Sequence, residues 1–231
     1  MLNFKWKKKY FQVNTKDLSR KLDGELGGAL DQLIFNLLQA AEEIYDPQYH
    51  NDAKISADVA ALYKMGQGKM GTDEKGLFKI LCASPPEYMK KLNLAYAEQH
   101  GYTLIKVMDK ELGGHVRKAA MFMMGMKLKP YEEIANLIKT ACAGIGTNEL
   151  LLTTIVIRYS GIMKQVMIAH IELFGQSIRD RVSSECGGDY KKLLLEILEA
   201  NENWGSFETR KHTIECYITE RYIDDCIKFY R

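Results

Sequence analysis

The feature that most constrains this chain is an internal repeat. Gly71-Thr72-Asp73-Glu74 opens a run with Leu77, Phe78, Ile80 and Leu81 at helical spacing. Pro85-Pro86 follows, then a second helical run through Tyr88, Leu92, Leu94, Ala95 and Tyr96, closed by Gly101. Leu104 to Leu112, Gly113-Gly114 and an apolar stretch ending near Met124 complete the series. The same order returns as Gly146-Thr147-Asn148-Glu149, Leu151 to Ile157, Ser160-Gly161, Val166 to Phe174, Gly175, Ile178 to Val182, Gly187-Gly188 and Leu193 to Leu198. The Gly-Thr pairs lie 75 residues apart, Thr72 to Thr147, and the acidic residues ahead of the paired glycines lie 74 apart, Glu111 to Glu185. A period of this length, filled by about five short helices, is one supersecondary unit that buries its apolar faces by stacking on a neighbour.

An earlier Glu25-Leu26-Gly27-Gly28, followed by Leu30, Leu33, Ile34, Leu37 and Leu38, reads as the C-terminal part of a preceding copy. The chain therefore divides into a leader with a partial repeat (1–44), a linker (45–56), two repeats (57–126 and 127–200) and a helical tail (201–231). Tyr45 to Ser56 reads as a loop, with a shorter one at Lys127 to Pro130. In the tail, Ile214, Tyr217, Ile218 and Tyr222 share one helical stripe, and Ile223, Cys226, Ile227 and Tyr230 the adjoining one.

Four prolines in 231 residues leave long stretches rich in Leu, Ala, Met, Lys and Glu, which favours an all-α fold. No apolar run approaches the ~18 residues a spanning helix needs, and no secretory segment follows Met1, so the expectation is a cytoplasmic chain. Thirty-two Lys and Arg against thirty Asp and Glu are too balanced for a protein that coats nucleic acid. The odd set Cys82, Cys142, Cys186, Cys216 and Cys226 has no C-x-x-C pair and sits in apolar segments, as reduced thiols do. Met121, Met123, Met124 and Met126 read as core and connector packing. His50, His100, His115, His170 and His212 have neither a partner at i, i+4 nor a Cys neighbour, and read as surface or capping residues. Arg158, with Ser84 taken as its counterpart in the other copy, reads as a local structural residue. Lys7-Lys8-Lys9 is a solvated run that adds ~1 kcal/mol per Lys toward anionic lipid if it lies near a membrane. No nucleophile-base pair, P-loop or dinucleotide fingerprint occurs, which argues against an enzyme.

The chemistry lies in the pairing of two loops. Gly66-Gln67-Gly68-Lys69-Met70-Gly71-Thr72 is glycine-rich enough to turn sharply and aim carbonyl oxygens at one spot. Glu111 follows Thr72 by 39 residues, and a helix pair out and back would bring its loop beside the Gly-rich one, joining several carbonyls to one carboxylate. Several carbonyls with one carboxylate and water suit a hard cation of six to eight oxygens at roughly 2.3–2.6 Å, which is Ca²⁺ rather than Zn²⁺ or Mg²⁺. The second copy repeats the pattern with Cys142-Ala143-Gly144-Ile145-Gly146-Thr147 and with Glu185, 38 residues after Thr147. A single Gly-Thr before an acid is what any helix start looks like, with Thr as cap, and paired glycines alone are ordinary helix ends. Two copies with matched downstream Glu-x-Gly-Gly outweigh that bland reading.

The G-x-G-T loop, the acid near 39 positions on and the repeat of about 70 residues resemble the annexin repeat over roughly residues 10 to 200. Ala61 to Glu74 is similar to the third repeat of that family, and Gly187-Gly188-Asp189-Tyr190-Lys191-Lys192 to the Ser-Gly-Asp-Tyr-Lys-Lys of the fourth. Glu25 to Leu38 then closes a second repeat. The resemblance implies truncated five-helix repeats with right-handed superhelical packing, and calcium-dependent peripheral binding to anionic phospholipid. Carried over, one ligand set is the carbonyls of Gly66, Lys69 and Gly71 with the bidentate Glu111 carboxylate. The other is the carbonyls of Cys142, Gly144 and Gly146 with Glu185. Met70 and Ile145 stand at the loop tips as membrane-contacting residues. Departures from the pattern are two full repeats instead of four, the leader Lys5-Trp6-Lys7-Lys8-Lys9, the one-residue deletion between Thr147 and Glu185, and the tail. The alternative in another class is an annexin-like scaffold with weak or absent calcium sites, used for self-association or attachment to a cytoskeletal partner.

Overall fold

The computed structural model describes residues 10–15, 17–23, 25–39, 42–66, 72–144 and 146–202, and the regular structure among them is helical throughout. The leader 1–9 and the tail beyond 202 lie outside the described residues. Two compact units divide between Leu128 and Lys129. The first holds α1 (Leu18–Asp23), α2 (Gly28–Leu38), α3 (Asp52–Met65), α4 (Glu74–Ala83), α5 (Pro86–His100), α6 (Leu104–Glu111) and α7 (Gly114–Leu128). The second holds α8 (Pro130–Ala141), α9 (Glu149–Arg158), a 3₁₀ turn (Ser160–Ile162), α10 (Met163–Phe174), α11 (Ile178–Glu185) and α12 (Gly188–Glu202).

Local chemistry sets the helix starts. Asn51, Asp73, Thr103, Asn148 and Ser177 each accept a hydrogen bond from a first-turn backbone N–H, satisfying a donor the helix itself leaves open. Pro86 and Pro130 open α5 and α8, where a missing N–H costs nothing. Gly101 and Gly175 close α5 and α10 in the left-handed region, at φ +79 and +64.

Packing repeats as the sequence does. In the first unit α3 packs on α4 and α5, α5 on α6 and α7, and α6 on α7. In the second, α8, α9, α10, α11 and α12 make the corresponding pairings. Fully buried Leu77, Phe78, Leu81, Leu92, Leu104 and Met124 centre the first core, each contributing roughly 1.5–3 kcal/mol by burial. Leu33 of α2 joins that core, so the partial repeat packs on α4 and α7. Ile134, Ile138, Leu152, Val156, Val166, Val182 and Leu198 centre the second. Met123 and Met124 are buried as expected, and Cys82, Cys142 and Cys186 are free thiols.

Several expectations are corrected. The loop expected over 45–56 ends early, because Asn51 caps α3 and the helix begins at Asp52. The loop expected at Lys127 to Pro130 shrinks to Lys129, since α7 runs through Leu128 and α8 starts at Pro130. Lys127 is buried: its ammonium donates to Cys82 O (3.1 Å), to Ser84 O and to Glu42 Oε2 (2.6 Å), serving the last carbonyls of α4. Arg158 ends α9 as Ala83 ends α4, so Ala83 rather than Ser84 is its counterpart.

His50 and His170 are buried rather than at the surface, because each ring finds partners for both nitrogens. His50 Nδ1 accepts from the Asp46 N–H at 3.1 Å and Nε2 meets Glu43 Oε2 at 3.0 Å, with the ring against Tyr45 and Tyr88. His170 donates from Nδ1 to Gln176 O at 2.7 Å and accepts at Nε2 from Arg181 Nε at 3.0 Å. Burial holds His170 below the ordinary imidazole range, so the neutral ring is favoured. No single helix among the described residues is long and apolar enough to cross a membrane.

Candidate functional site

Each full repeat joins its first two helices, α3 to α4 and α8 to α9, by a closed loop. The Asp73 N–H donates to Met65 O at 2.8 Å, tying off the seven residues 66–72, and the Asn148 N–H donates to Ala141 O at 2.7 Å, tying off the six residues 142–147. The caps of α4 and α9 are Asp73 and Asn148, which frees the two threonines from the capping role the bland reading gave them.

In the first unit the Thr72 hydroxyl donates to Glu111 Oε2 at 2.9 Å, across 39 residues. Gly66 lies against the same helix, for a Cβ built there would stand 3.4 Å from Val107 Cγ1 and 3.9 Å from Glu111 Cγ. Both ends of the loop therefore meet the C-terminal turn of α6, and Gly66, Thr72 and Glu111 come together. Lys69, Met70 and Gly71 lie outside the described residues.

In the second unit the Thr147 hydroxyl donates at 3.0 Å to the backbone carbonyl of Glu185, not to its carboxylate. Cys142 caps α8 at the start of the loop. Gly144 and Gly146 are exposed at φ +95 and +86, where an added Cβ meets nothing within 4 Å, so backbone conformation rather than space demands glycine. Ile145 lies outside the described residues. Burial pushes the Cys142 thiol up to about 11 and raises that of Cys186, so both stay protonated near neutrality and neither is poised as a nucleophile.

The one-residue difference in Thr-to-Glu spacing falls between the helix that follows each loop and the glycine ahead of the helix that carries each acid. Ten residues separate Gly101 from Glu111 and also Gly175 from Glu185, and α4 and α9 have the same length of 10 residues. The difference is confined to the stretch from the end of α4 or α9 to Gly101 or Gly175. There Pro86 starts α5 almost at once, whereas the 3₁₀ turn Ser160–Ile162 precedes α10.

Further residues brace the site. The Tyr190 hydroxyl donates to Glu149 O at 2.9 Å and Lys191 Nζ to Ser183 O at 2.8 Å, fixing the corner between α11 and α12 beside Glu185. The roles of Thr72 and Thr147 toward the acids were not read from sequence; their 39- and 38-residue separations from those acids were the available signal. Among the described residues no three His, Cys, Asp or Glu side chains are placed to hold a metal ion. A cation at either loop would draw on backbone carbonyls and one carboxylate, an oxygen-only set that fits Ca²⁺.

Comparison with known proteins identifies the repeat. The family model described as Annexin matches residues 57–123 and 133–197. The chain is 32% identical to annexin A7 of Dictyostelium discoideum over 184 residues, covering 79% of this chain and 39% of that protein. It is 28% identical to annexin C1 of Cryptococcus neoformans over 208 residues, 86% of this chain and 43% of that one. The chain thus spans about two fifths of the length of these relatives. Among solved structures, annexin III superposes with a TM-score of 0.77 at 23% identity, over 83% of this chain and 59% of that one. The calcium-bound form of annexin (Sm)1 superposes with a TM-score of 0.70 at 20% identity, over 83% and 57%. At these identities the structural likeness is one of fold.

Proposed function

The chain belongs to the annexin family, and from that membership and the Thr72–Glu111 bond we propose that it binds anionic phospholipid surfaces through calcium. The carbonyls of Gly66, Lys69 and Gly71 with the Glu111 carboxylate hold one ion; those of Cys142, Gly144 and Gly146 with Glu185 hold the other. Bound calcium supplies the positive charge that joins protein oxygens to lipid phosphate. Met70 and Ile145, apolar at the loop tips, enter the headgroup boundary, where burial of an apolar side chain favours binding. The protein acts as a binding module rather than an enzyme, cytoplasmic and peripheral on membranes when calcium rises.

The observation that carries this reading is the hydrogen bond that brings the loop end to an acid 39 residues away. Left-handed Gly144 and Gly146 in the matching loop support it. The test is sedimentation with phosphatidylserine vesicles across a calcium titration. Pelleting should rise with calcium and reverse on chelation. Pelleting that ignores calcium would overturn the proposal and favour the scaffold alternative.

A further inference from the structure

The two units use equivalent threonines differently. Thr72 gives its hydroxyl to the side chain of Glu111, at Oε2, while Thr147 gives its hydroxyl to the main chain of Glu185. Thr72 is the last residue of a seven-residue loop and Thr147 of a six-residue one, and the two hydroxyls find different acceptors on the matching glutamates. Gly66 lies against the Glu111 stem, so that acid is bounded by both ends of its loop.

We propose that Thr72 is a positioning residue that orders the Glu111 carboxylate against its loop before a cation arrives, and that the loop of the first unit therefore binds Ca²⁺ more tightly than that of the second. The inference rests on the calcium reading above and deepens it. A glutamate side chain is otherwise free to sample several rotamers, and a ligand whose partner is already ordered avoids that entropic cost on binding. The bond does not block the site. A carboxylate oxygen accepts in more than one direction, so Oε2 keeps the Thr72 hydroxyl while the remaining lone pairs face the cation. Thr147, turned to the main chain, orders the end of α11 and not the acid itself.

The experiment measures calcium affinity by calorimetry, without lipid, in a Glu185→Gln background that leaves the first loop as the site under study. Thr72→Val keeps the β-branched shape and removes the donor; it should weaken affinity about five- to tenfold. Thr72→Ser restores the donor and should recover most of the loss. The melting temperature of the calcium-free protein should fall by a few degrees in Thr72→Val and recover in Thr72→Ser, because the bond lost is one to a charged acceptor at a half-buried position. In the reciprocal Glu111→Gln background, Thr147→Val should change calcium affinity less than twofold.

Unaltered affinity in Thr72→Val would overturn the positioning role. So would a loss that Thr72→Ser does not reverse and that tracks a fall in calcium-free melting temperature, since that marks a structural role. If Glu111→Gln added to the Glu185→Gln background leaves calcium binding intact, the calcium reading fails and the inference falls with it, a result distinct from either of the others.

Discussion

Replacing Lys127 by methionine keeps an unbranched apolar stem of similar length and removes the charge. The Lys127 side chain is 7% exposed and its ammonium serves three acceptors, Glu42 Oε2, Cys82 O and Ser84 O. Its partner Glu42 is 49% exposed, so that carboxylate regains water when the ammonium goes and adds at most about 1 kcal/mol. The two carbonyls at the end of α4 are different. Ser84 is 3% exposed and Cys82 likewise 3%, and a buried acceptor left without a donor costs about 1–3 kcal/mol. Relief of the buried ammonium's desolvation offsets part of this. The expected cost of Lys127→Met is therefore about 2–4 kcal/mol, and of Glu42→Ala no more than about 1 kcal/mol. Urea unfolding followed by far-ultraviolet circular dichroism reads both. Equal losses in the two variants would refute the reasoning, because they would place the energy in the ion pair and not in the carbonyls.

Burial holds His170 below its ordinary value of 6.5, so the folded state binds fewer protons than the unfolded chain. Its contribution to stability is full above that value and is lost as pH falls toward the depressed one; the urea midpoint should fall as pH is lowered through 6.5, and fall less in His170→Gln. Gly101→Ala and Gly175→Ala should each cost about 1 kcal/mol from backbone strain alone, since nothing lies within 4 Å of a Cβ at either, while Gly113→Ala, with equal space and no positive φ, should cost little in the same unfolding assay. Met70→Ala should leave calcium affinity without lipid unaltered and weaken vesicle binding several-fold, because at ~25 cal/mol per Å² a partly inserted Met is worth on the order of 1 kcal/mol. Equal loss in both assays would make Met70 a part of the folded loop.

The helix order was legible because the Gly-Thr pairs, the closing glycines and the apolar runs return 74 or 75 residues on, which made each weak local signal strong. The caps Asn51, Thr103 and Ser177, which satisfy donors three residues on, were not read, and the loop before α3 was therefore drawn too long. The misread side chains share one cause: the deciding partner was distant or of a type that composition does not flag. Lys127 looked like connector until its acceptors arrived from 43, 45 and 85 residues away. His170 looked like surface because its partners are a main-chain oxygen and an arginine. At the candidate site the spacing pointed to Glu111 beside its loop, while whether each threonine hydroxyl meets the carboxylate or the main chain of its glutamate is a matter of side-chain geometry that no periodicity reports. Lys69, Met70, Gly71 and Ile145 lie outside the described residues, so their roles rest on the resemblance and on the proposal.

The corner between the second and third helices of each repeat has a practical consequence. Its path differs between the copies, while the register from the closing glycine to the acid is identical. The one-residue difference is absorbed before the chain reaches Gly175, so the repeat takes up a change of path at this corner without shifting the acid along its helix. Gly161, the exposed residue of the turn, is accordingly where a single inserted residue should leave calcium binding at the Glu185 loop unaltered.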